Sequence, residues 1–516
     1  MLLINNLKLG LEEKDLSLKE KAARKYHIPL QDILSFRLHR KSLDARKDLH
    51  YVCSILIETK NEKRYLRYKD ISLYETKDLT AEKVNSDVRP VIIGYGPSGI
   101  FSAWRLAEAG LRPIVFERGK RVAGREKDID DFFKNGVFSP SSNVVYGEGG
   151  AGTFSDAKLT TRVNDPFIPY ITDIFIRHGA PERIAWEAHP HIGTDAVRKV
   201  IASITDDLIK QGVEFHFEEG VTDFEIEDGT LKAVITDKGR YPSSFFLLGI
   251  GHSAYDTFRI LYEKGVHMVP KDTAVGFRVE HPQSLLDENQ YGKGFPSVLE
   301  ASEYFLRYKD IRSVYSFCMC PGGYVVPSNA EEASIVTNGM SYEDRDNHLG
   351  NSAILIQVPK ELYGEGTLAG FEYLKKLEER AYSLSSSYKA LSMNIKDYLN
   401  GDLHPLIFPS SYPLGTVLYD LNSFFTEEEN NIFKRALQNF DTKITGFIEN
   451  GIMVAPETRA SSPVRIPRLE DGRSENTAGL YPMGEGPGYG GGIMSCALDG
   501  IRTAERILNT LKQDFS

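Results

Sequence analysis

The sequence has few of the features that mark secreted and membrane proteins. Its 516 residues contain only four cysteines, too few and too scattered for a disulfide framework. No apolar run approaches the roughly 20 residues that a membrane span needs. The chain begins with early acids and no basic segment, so it does not resemble a signal peptide. We therefore expect a cytoplasmic protein without a membrane partner.

The chain also has fewer basic than acidic residues, with 62 Lys and Arg against 72 Asp and Glu. The net charge of −10 argues against a broad nucleic-acid-binding surface. Residues 1–90 differ, because they carry 19 Lys and Arg against 14 Asp and Glu. A basic cluster between residues 39 and 47 is either a solvated hairpin or a surface for RNA or an acidic partner. Nucleic acid therefore stays open as a partner of the N-terminal region alone.

One stretch, Pro90 to Glu117, has the order strand, glycine turn, helix, strand, acid. Its G-x-G-x-x-G turn allows backbone to approach a pyrophosphate, and the following helix offers N–H groups to the phosphates. The acid at its end is placed to accept from ribose hydroxyls. A charged loop with several arginines follows. The sequence predicts a dinucleotide site made by Gly94, Gly96, Pro97, Ser98, Gly99 and Glu117, with Arg118 and Arg125 from the loop.

Three later segments are also rich in glycine. Residues 147–152 crowd four glycines together, as close backbone approach to a flavin requires. The segment Gly249-x-Gly251-x-x-Ala254 is either a second, nicotinamide-binding turn or the end of a strand that closes the first domain. Residues 484–492 precede a helix whose N-terminus suits the electron-rich edge of a reduced flavin. All three segments are candidates for cofactor contact.

Together these motifs resemble a family of flavoproteins. GYGPSG with Glu117-Arg118, GEGGAGTFSDAKLTT, SFCMCPGG, ETRASSPVRI and GLYPMGEGPGYGGGIMS are similar to those of the uncharacterised bacterial FAD-dependent dehydrogenases, also called NAD(FAD)-utilising dehydrogenases. This group lies among the two-dinucleotide-binding-domain flavoproteins. The resemblance extends over roughly residues 30–510 and implies FAD as the cofactor.

The resemblance also implies a role for individual residues. Gly94, Gly96, Ser98 and Gly99 would hold the pyrophosphate and Glu117 the adenosine ribose. The adenine would pair with the backbone of Val221. The remaining flavin contacts would come from Gly149, Gly150, Gly152, Thr153, Gly484, Glu485, Gly492 and Ile493, and we add Gly251 to the predicted cofactor-binding residues.

We expect an α/β fold in which a Rossmann-like FAD-binding domain is interrupted by a β-rich substrate domain and preceded by a small α+β domain. Short alternating strands after residue 273 lack the βαβ rhythm and predict an antiparallel inserted sheet. The expected domains are 1–80 for the small domain, 88–273 for the first part of the FAD-binding domain, 274–450 for the insertion and 451–516 for the last part.

Two pairs of residues are candidates for chemistry beyond the flavin. Arg459 and Arg465 flank a Ser-Ser-Pro segment and are predicted either to bind a carboxylate substrate or reduced flavin, or to pair with surface acids. Cys318 and Cys320 are either a redox-active pair or buried structural thiols. Two thiolates without a following His/Cys pair do not make a metal site, so we expect no metal.

These observations predict an FAD-dependent oxidoreductase of the dehydrogenase type. Hydride would pass through flavin N5 between an unidentified small organic substrate and NAD(P)H or another electron partner. NAD(P)H would bind only transiently, because no convincing second nucleotide unit is present. The alternative is a flavin-dependent RNA-modifying protein whose basic N-terminal domain holds RNA.

Overall fold

The structure is a computed structural model that describes residues 1–75, 77–161 and 163–513. A small sheet with one helix forms the N-terminal region. Its elements are β1 (Leu2–Leu9), α1 (Ser17–Tyr26), β2 (Ile33–Asp44), β3 (His50–Thr59) and β4 (Ile71–Leu73). The strands are antiparallel in the order β2-β3-β1-β4. Strand β1 buries Leu2 and Ile4 and, after an irregularity between Ile4 and Leu7, also Leu7 and Leu9 beneath the helix.

The glycine turn begins the second group of elements. They are β5 (Val91–Ile93), α2 (Pro97–Glu108), β6 (Ile114–Glu117), α3 (Val122–Asn135), α4 (Phe167–Arg177), α5 (Thr194–Lys210), β7 (Glu214–Phe217), β8 (Asp223–Glu227), β9 (Thr230–Ile235), β10 (Arg240–Pro242), β11 (Phe246–Leu248) and α6 (Tyr255–Glu263). The three strands β10-β9-β8 form an antiparallel sheet of their own.

A third group of elements contains most of the long strands. They are β12 (Val269–Pro270), β13 (Thr273–Pro282), α7 (Gln283–Tyr291), β14 (Arg307–Tyr308), β15 (Val314–Cys320), β16 (Tyr324–Pro327), β17 (Thr337–Met340), β18 (Leu349–Val358), α8 (Ala369–Ser385), β19 (Ala390–Asn394), α9 (Ile395–Asn400), β20 (Thr416–Leu418), α10 (Glu427–Asp441) and β21 (Ile452–Glu457).

The chain then returns to the sheet that contains β5, β6, β7 and β11. The last elements are β22 (Val464–Arg465), β23 (Leu480–Pro482) and α11 (Ile493–Gln513). Strand β23 pairs parallel with β11 and completes a five-stranded parallel sheet of order β23-β11-β5-β6-β7. Helices α2, α4, α5 and α11 cover one face of this sheet, and α6 and the three-stranded sheet cover the other. This mixed α/β architecture confirms the predicted fold class.

The insertion is built on a seven-stranded sheet of order β14-β15-β18-β13-β21-β19-β20. Its pairings are antiparallel except for that of β19 with β20. Strand β21 lies within this sheet, whereas the predicted boundary at residues 450/451 assigned it to the FAD-binding domain. The sequence boundary is therefore corrected to a position after Glu457. An apolar strand next to a predicted boundary carries no local signal of which sheet it joins.

Short 3₁₀ turns connect several elements. They are Leu30–Asp32, Glu62–Tyr65, Gly150–Phe154, Glu182–Ala185, Lys360–Leu362 and Leu421–Ser423. Among the described residues, no helix combines the length and the apolar character that crossing a bilayer would require.

Candidate active site

The glycine segments meet at one cavity of about 280 Å³ beside the carboxyl ends of β5 and β11. A methyl group added to Gly150 would lie 3.0 Å from Gly96 Cα, and one added to Gly152 would lie 3.0 Å from Ile493 Cγ1. Three segments that are far apart in sequence are thus in direct contact. The predicted cofactor-binding residues that line this cavity are Gly94, Gly96, Pro97, Ser98, Glu117, Arg118, Gly150, Gly152, Val221, Gly251, Glu485, Gly492 and Ile493.

The glycines of the site are of two kinds. Gly94 and Gly99 are required by the protein itself, because an added methyl group would lie 2.7 Å from Gly249 O or 2.1 Å from Gly94 O. Gly96 would meet nothing closer than 3.9 Å, and Gly251 would meet nothing within 4 Å. Neither has a positive φ. No atom of the described residues excludes a side chain at these two positions. A cofactor bound in the cavity would exclude one.

Two helix N-termini point into the same space. Helix α2 begins at Pro97 and α11 begins at Ile493, and both residues line the cavity. The helices pack tightly, since a methyl group on Gly500 would lie 2.2 Å from Ser98 O. Unpaired N–H groups and two positive helix ends at one cavity favour a bound anion such as a pyrophosphate.

Glu117 connects the first two glycine loops. Its carboxylate accepts hydrogen bonds from the backbone N–H groups of Tyr95 (3.0 Å), Gly119 (2.9 Å) and Gly147 (3.0 Å). The side chain is buried and still lines the cavity. The Glu117 carboxylate therefore holds the two loops together. It can also accept a hydrogen bond from a ligand in the cavity. Its neighbour Arg118 pairs with Asp256 at 3.1 Å and also lines the cavity.

Arg125 does not line this cavity. Its guanidinium is fully buried and donates to the carbonyl oxygens of Asn143 (2.7 Å), Val144 (2.9 Å) and Glu148 (2.9 Å). We therefore correct its predicted cofactor contact to a structural role in the loop that carries the second glycine cluster. The sequence shows the arginine but not the loop into which it folds.

Four other predicted cofactor residues lie behind the cavity wall. Gly149 is packed against Thr153, whose hydroxyl donates to Glu148 O at 3.1 Å. Gly484 packs on Ser98 and donates its N–H to Asp499 at 2.8 Å. Gly99 allows α2 to pack closely against the glycine turn, because an added methyl group would collide with Gly94 O. Val221 lies in the loop after β7 and does line the cavity.

A second, much larger cleft of about 2310 Å³ adjoins the cavity. One wall is the N-terminal hairpin around Arg37–Arg40, and other walls are formed by residues 184–190 and by β15. The hairpin is attached to this region through hydrogen bonds between the backbone of Lys41 and that of Trp186 and Ala188. The residues that line both spaces are Lys158, Phe317, Cys318, Ala460, Glu485 and Gly492.

The two predicted arginines differ in position. Arg459 lines the cavity, and its Nε and Nη2 atoms donate to the buried Glu378 carboxylate at 2.9 and 2.6 Å. Arg465 lines neither space. It donates to Gly488 O at 3.1 Å and packs over the Tyr489 ring. We therefore correct its predicted catalytic role to support of the glycine loop 484–492.

The two cysteines of β15 are adjacent to two cations. Cys318 is half-buried and lines both spaces, whereas Cys320 is fully buried. Arg278 donates to Cys318 O at 2.7 Å, and Lys158 donates to Met319 O. The adjacent Cys320 thiol lowers the pKa of Cys318, and the charges of Arg278 and Lys158 act in the same direction.

Sequence reasoning did not single out several residues of the cavity wall. Lys158 lies within the motif GEGGAGTFSDAKLTT. The motif indicated a cofactor loop but gave no separate role for this lysine. His252 and Asn338 carry no pattern that marks them as cavity residues. His252 Nδ1 lies 3.4 Å from a carboxylate oxygen of Glu485, a contact between segments more than 200 residues apart that only the fold creates.

Two segments of the chain match known family models. Residues 272–460 match the family model described as FAD-dependent protein, C-terminal domain-like. Residues 1–58 match a domain of unknown function, DUF8436. The first description, together with the cavity, confirms FAD as the predicted cofactor.

A full-length relative identifies the family. The chain is 38% identical over 527 residues to an uncharacterized protein of Clostridium beijerinckii (strain ATCC 51743 / NCIMB 8052), with 98% of each chain covered. The chain belongs to the same family as this protein.

Solved structures show weaker likeness. CtdE in complex with FAD is 10% identical, with 83% of this chain and 89% of that chain covered and a TM-score of 0.33. The halogenase PltM is 11% identical, with 83% and 70% covered and a TM-score of 0.37. A geranylgeranyl bacteriochlorophyll reductase-like protein of Thermoplasma acidophilum is 10% identical, with 83% and 79% covered and a TM-score of 0.36.

Proposed function

We propose that the protein is an FAD-dependent oxidoreductase of the dehydrogenase type. When bound, FAD supplies hydride transfer through its N5 atom between an organic substrate and NAD(P)H or another electron partner. The observation that supports this proposal is the junction of the two spaces. A cavity with glycines at the N-termini of two helices suits a cofactor, and its shared wall with a wide cleft would give a second molecule access to the reacting end.

The residues of the cavity suit the parts of FAD in order. Gly96 and Ser98, at the start of α2, would hold the pyrophosphate, and Glu117 would accept from the ribose. Gly492 and Ile493, at the start of α11, would meet the pyrimidine edge of the ring. Because Gly492 lines both spaces, a ring held by Gly492 would lie next to the cleft.

The cleft would receive both substrate and electron donor. Strand β11 precedes Gly249-x-Gly251-x-x-Ala254 and lies beside β5 in the same sheet. That segment therefore completes the nucleotide domain that β5 begins and does not start a second one. An NAD(P)H donor would accordingly bind transiently in the cleft, next to the flavin.

The charge of the cleft does not favour the RNA alternative. Seven Lys or Arg residues and eight Asp or Glu residues line it. A polyanion is normally held by a clear excess of Lys and Arg. The nearly balanced lining suits a small polar compound better than an RNA backbone.

The test is an anaerobic reduction screen of the purified protein with NADH, NADPH and candidate organic acids, followed at the flavin absorption band. The matched variants are Gly96→Val and Gly239→Val. Both positions leave room for a side chain, with nearest atoms at 3.9 and 3.8 Å, but only Gly96 faces the cavity.

We expect the wild-type protein to be yellow and its flavin absorption band to be bleached by one of the donors in the screen. G239V should give the same result as the wild type. G96V should fold with unchanged circular dichroism and lose its flavin. Folded wild-type protein that stays colourless with added FAD would contradict cofactor binding. Bound flavin that no reductant in the screen bleaches would contradict the dehydrogenase assignment.

A further inference from the structure

Cys318 occupies the wall between the proposed flavin cavity and the wide cleft. It lines both spaces, and the fully buried Cys320 lies two residues further along β15. Both are free thiols. A sulfur in this position can reach the cofactor on one side and a molecule in the cleft on the other, with a second sulfur near it.

The backbone is irregular at this point. Phe317 pairs with Ala353 and Cys320 pairs with Asn351, so β15 advances three residues while β18 advances two. Cys318 has a φ of +45°, a conformation that costs energy for any residue with a side chain. Glycine would remove that cost, but it would also remove the thiol. The bulge re-aims this side chain, as bulges near active sites do.

Two cations stabilise a thiolate at the bulge. Arg278 is fully buried and paired with Glu457 at 2.8 Å, and its Nη2 lies 3.9 Å from Cys320 Sγ. Lys158 donates to the carbonyl between the two cysteines. The neighbouring thiol first, and then these cations, lower the pKa of Cys318, while the proximity of Cys318 and burial raise the pKa of Cys320. Cys318 is thus the nucleophile and Cys320 the resolving thiol.

We propose that Cys318 and Cys320 form a dithiol–disulfide pair that carries two electrons from the reduced flavin to a disulfide compound in the cleft. This inference rests on the proposed FAD-dependent function and names the class of its substrate. A dithiol passes electrons to an organic acceptor by thiol–disulfide exchange, so the acceptor in the cleft is a disulfide.

The exchange balances in atoms and electrons. The Cys318 thiolate attacks one sulfur of the substrate disulfide, the substrate S–S bond breaks, and the leaving sulfur takes a proton. Cys320 then loses its proton and attacks Cys318 Sγ, which releases the second substrate thiol and closes the Cys318–Cys320 bond. Bound FAD, when reduced, would supply the two electrons and two protons that return this disulfide to two thiols, and NAD(P)H or the other donor would supply the electrons for the flavin.

Cys53 provides a control. It is buried in β3 and lines neither the cavity nor the cleft. The Cys53→Ala variant therefore removes a thiol without touching the pair or the cofactor site. The test variants are C318S and C320S.

The experiment is an anaerobic dithionite titration of the air-oxidised holoprotein, followed at the flavin band. Wild type and C53A are expected to take up about four electrons per flavin, two for FAD and two for the disulfide. C318S and C320S are expected to take up about two. Mass spectrometry of the oxidised protein should show residues 318 and 320 linked, with both alkylated only after reduction.

A substrate arm uses oxidised glutathione as the probe. Fully reduced wild type and C53A should be reoxidised by it with release of about four thiols per flavin, two for each pair of electrons, and C318S should lose this reaction. Bound flavin with two-electron uptake in all four proteins would overturn the relay while leaving the oxidoreductase proposal intact. If oxidised glutathione does not reoxidise the wild type, the proposal that the substrate is a disulfide is wrong. Colourless protein would overturn the proposed function and the relay with it.

Discussion

Lys158 is a single side chain that connects the two spaces of the site. It lines both of them, pairs with Glu303 at 3.2 Å and lies 3.7 Å from Asp156. Burial opposes its charge, but the Glu303 and Asp156 carboxylates outweigh burial and raise the pKa of Lys158. It therefore stays an ammonium ion next to the cysteines, where it favours the Cys318 thiolate.

The first prediction concerns this charge. In the Lys158→Met variant the pKa of Cys318 should rise, because a cation that favours the thiolate is lost. The thiolate fraction increases with pH, so the alkylation profile of Cys318 should move to higher pH. A rise of one unit slows alkylation roughly tenfold below the wild-type midpoint.

The measurement is the rate of iodoacetamide labelling of residue 318 against pH, read by peptide mass spectrometry. Lys271→Met is the control, because Lys271 lines the same cleft but is not among the groups that shift the pKa of Cys318. Coincident profiles for wild type and K158M would show that Lys158 does not set the reactivity of this thiol.

At the scale of elements, the second glycine cluster depends on the loop before it. Arg125 reaches from α3 into residues 143–148 and supplies the donors that these buried carbonyls need. Gly147 must be a glycine here, because an added methyl group would lie 2.6 Å from Arg125 Cδ. The buried arginine and the glycine cluster therefore form one unit that places Gly150 and Gly152 at the cavity.

The second prediction removes the donors of that unit. Arg125→Met keeps the volume but leaves three carbonyls unpaired, so the free energy of unfolding should fall by about 3–5 kcal/mol. Arg473→Met is the comparison, because its side chain is 43% exposed and pairs with Asp471, which is equally exposed. That variant should lose less than about 1 kcal/mol. Urea denaturation measures both, and equal losses would contradict the structural role of Arg125.

At the scale of the whole molecule, the cofactor cavity joins parts of the chain that lie on both sides of the insertion. Strands β5 and β11 precede the seven-stranded sheet in sequence, whereas β23 and α11 follow it. All contribute to one cavity or to the sheet beneath it. A ligand in that cavity therefore stabilises the assembled nucleotide domain as a unit.

The third prediction follows from this linkage. FAD at about 100 times its dissociation constant should stabilise the folded protein by about 2.7 kcal/mol, which for a chain of this length is a rise in Tm of roughly 2–3 °C. Differential scanning calorimetry of flavin-free protein with and without FAD measures the shift. The G239V control should retain the shift, and G96V should lose it. An FAD-independent Tm in the wild type would contradict the predicted site.

The sequence by itself determined the features that depend on neighbouring residues. The order of strand, glycine turn and helix at residues 91–108 is local, because backbone conformation at each glycine is set within a few residues. Alternation likewise identified the long strands of the insertion. It did not identify β19, whose five residues are all buried and mix Ser and Asn with apolar side chains, so that no periodicity marks them.

Only the tertiary structure decided which side chains meet. Arg125 and Arg465 look like ligand-binding residues in the sequence, but the fold directs both to backbone carbonyls. Lys158 and Cys318 are neighbours because β15 lies beside the second glycine loop, a contact that spans 160 residues of chain. Such contacts depend on how separate elements pack, and packing is set by the whole set of buried surfaces and not by any local pattern.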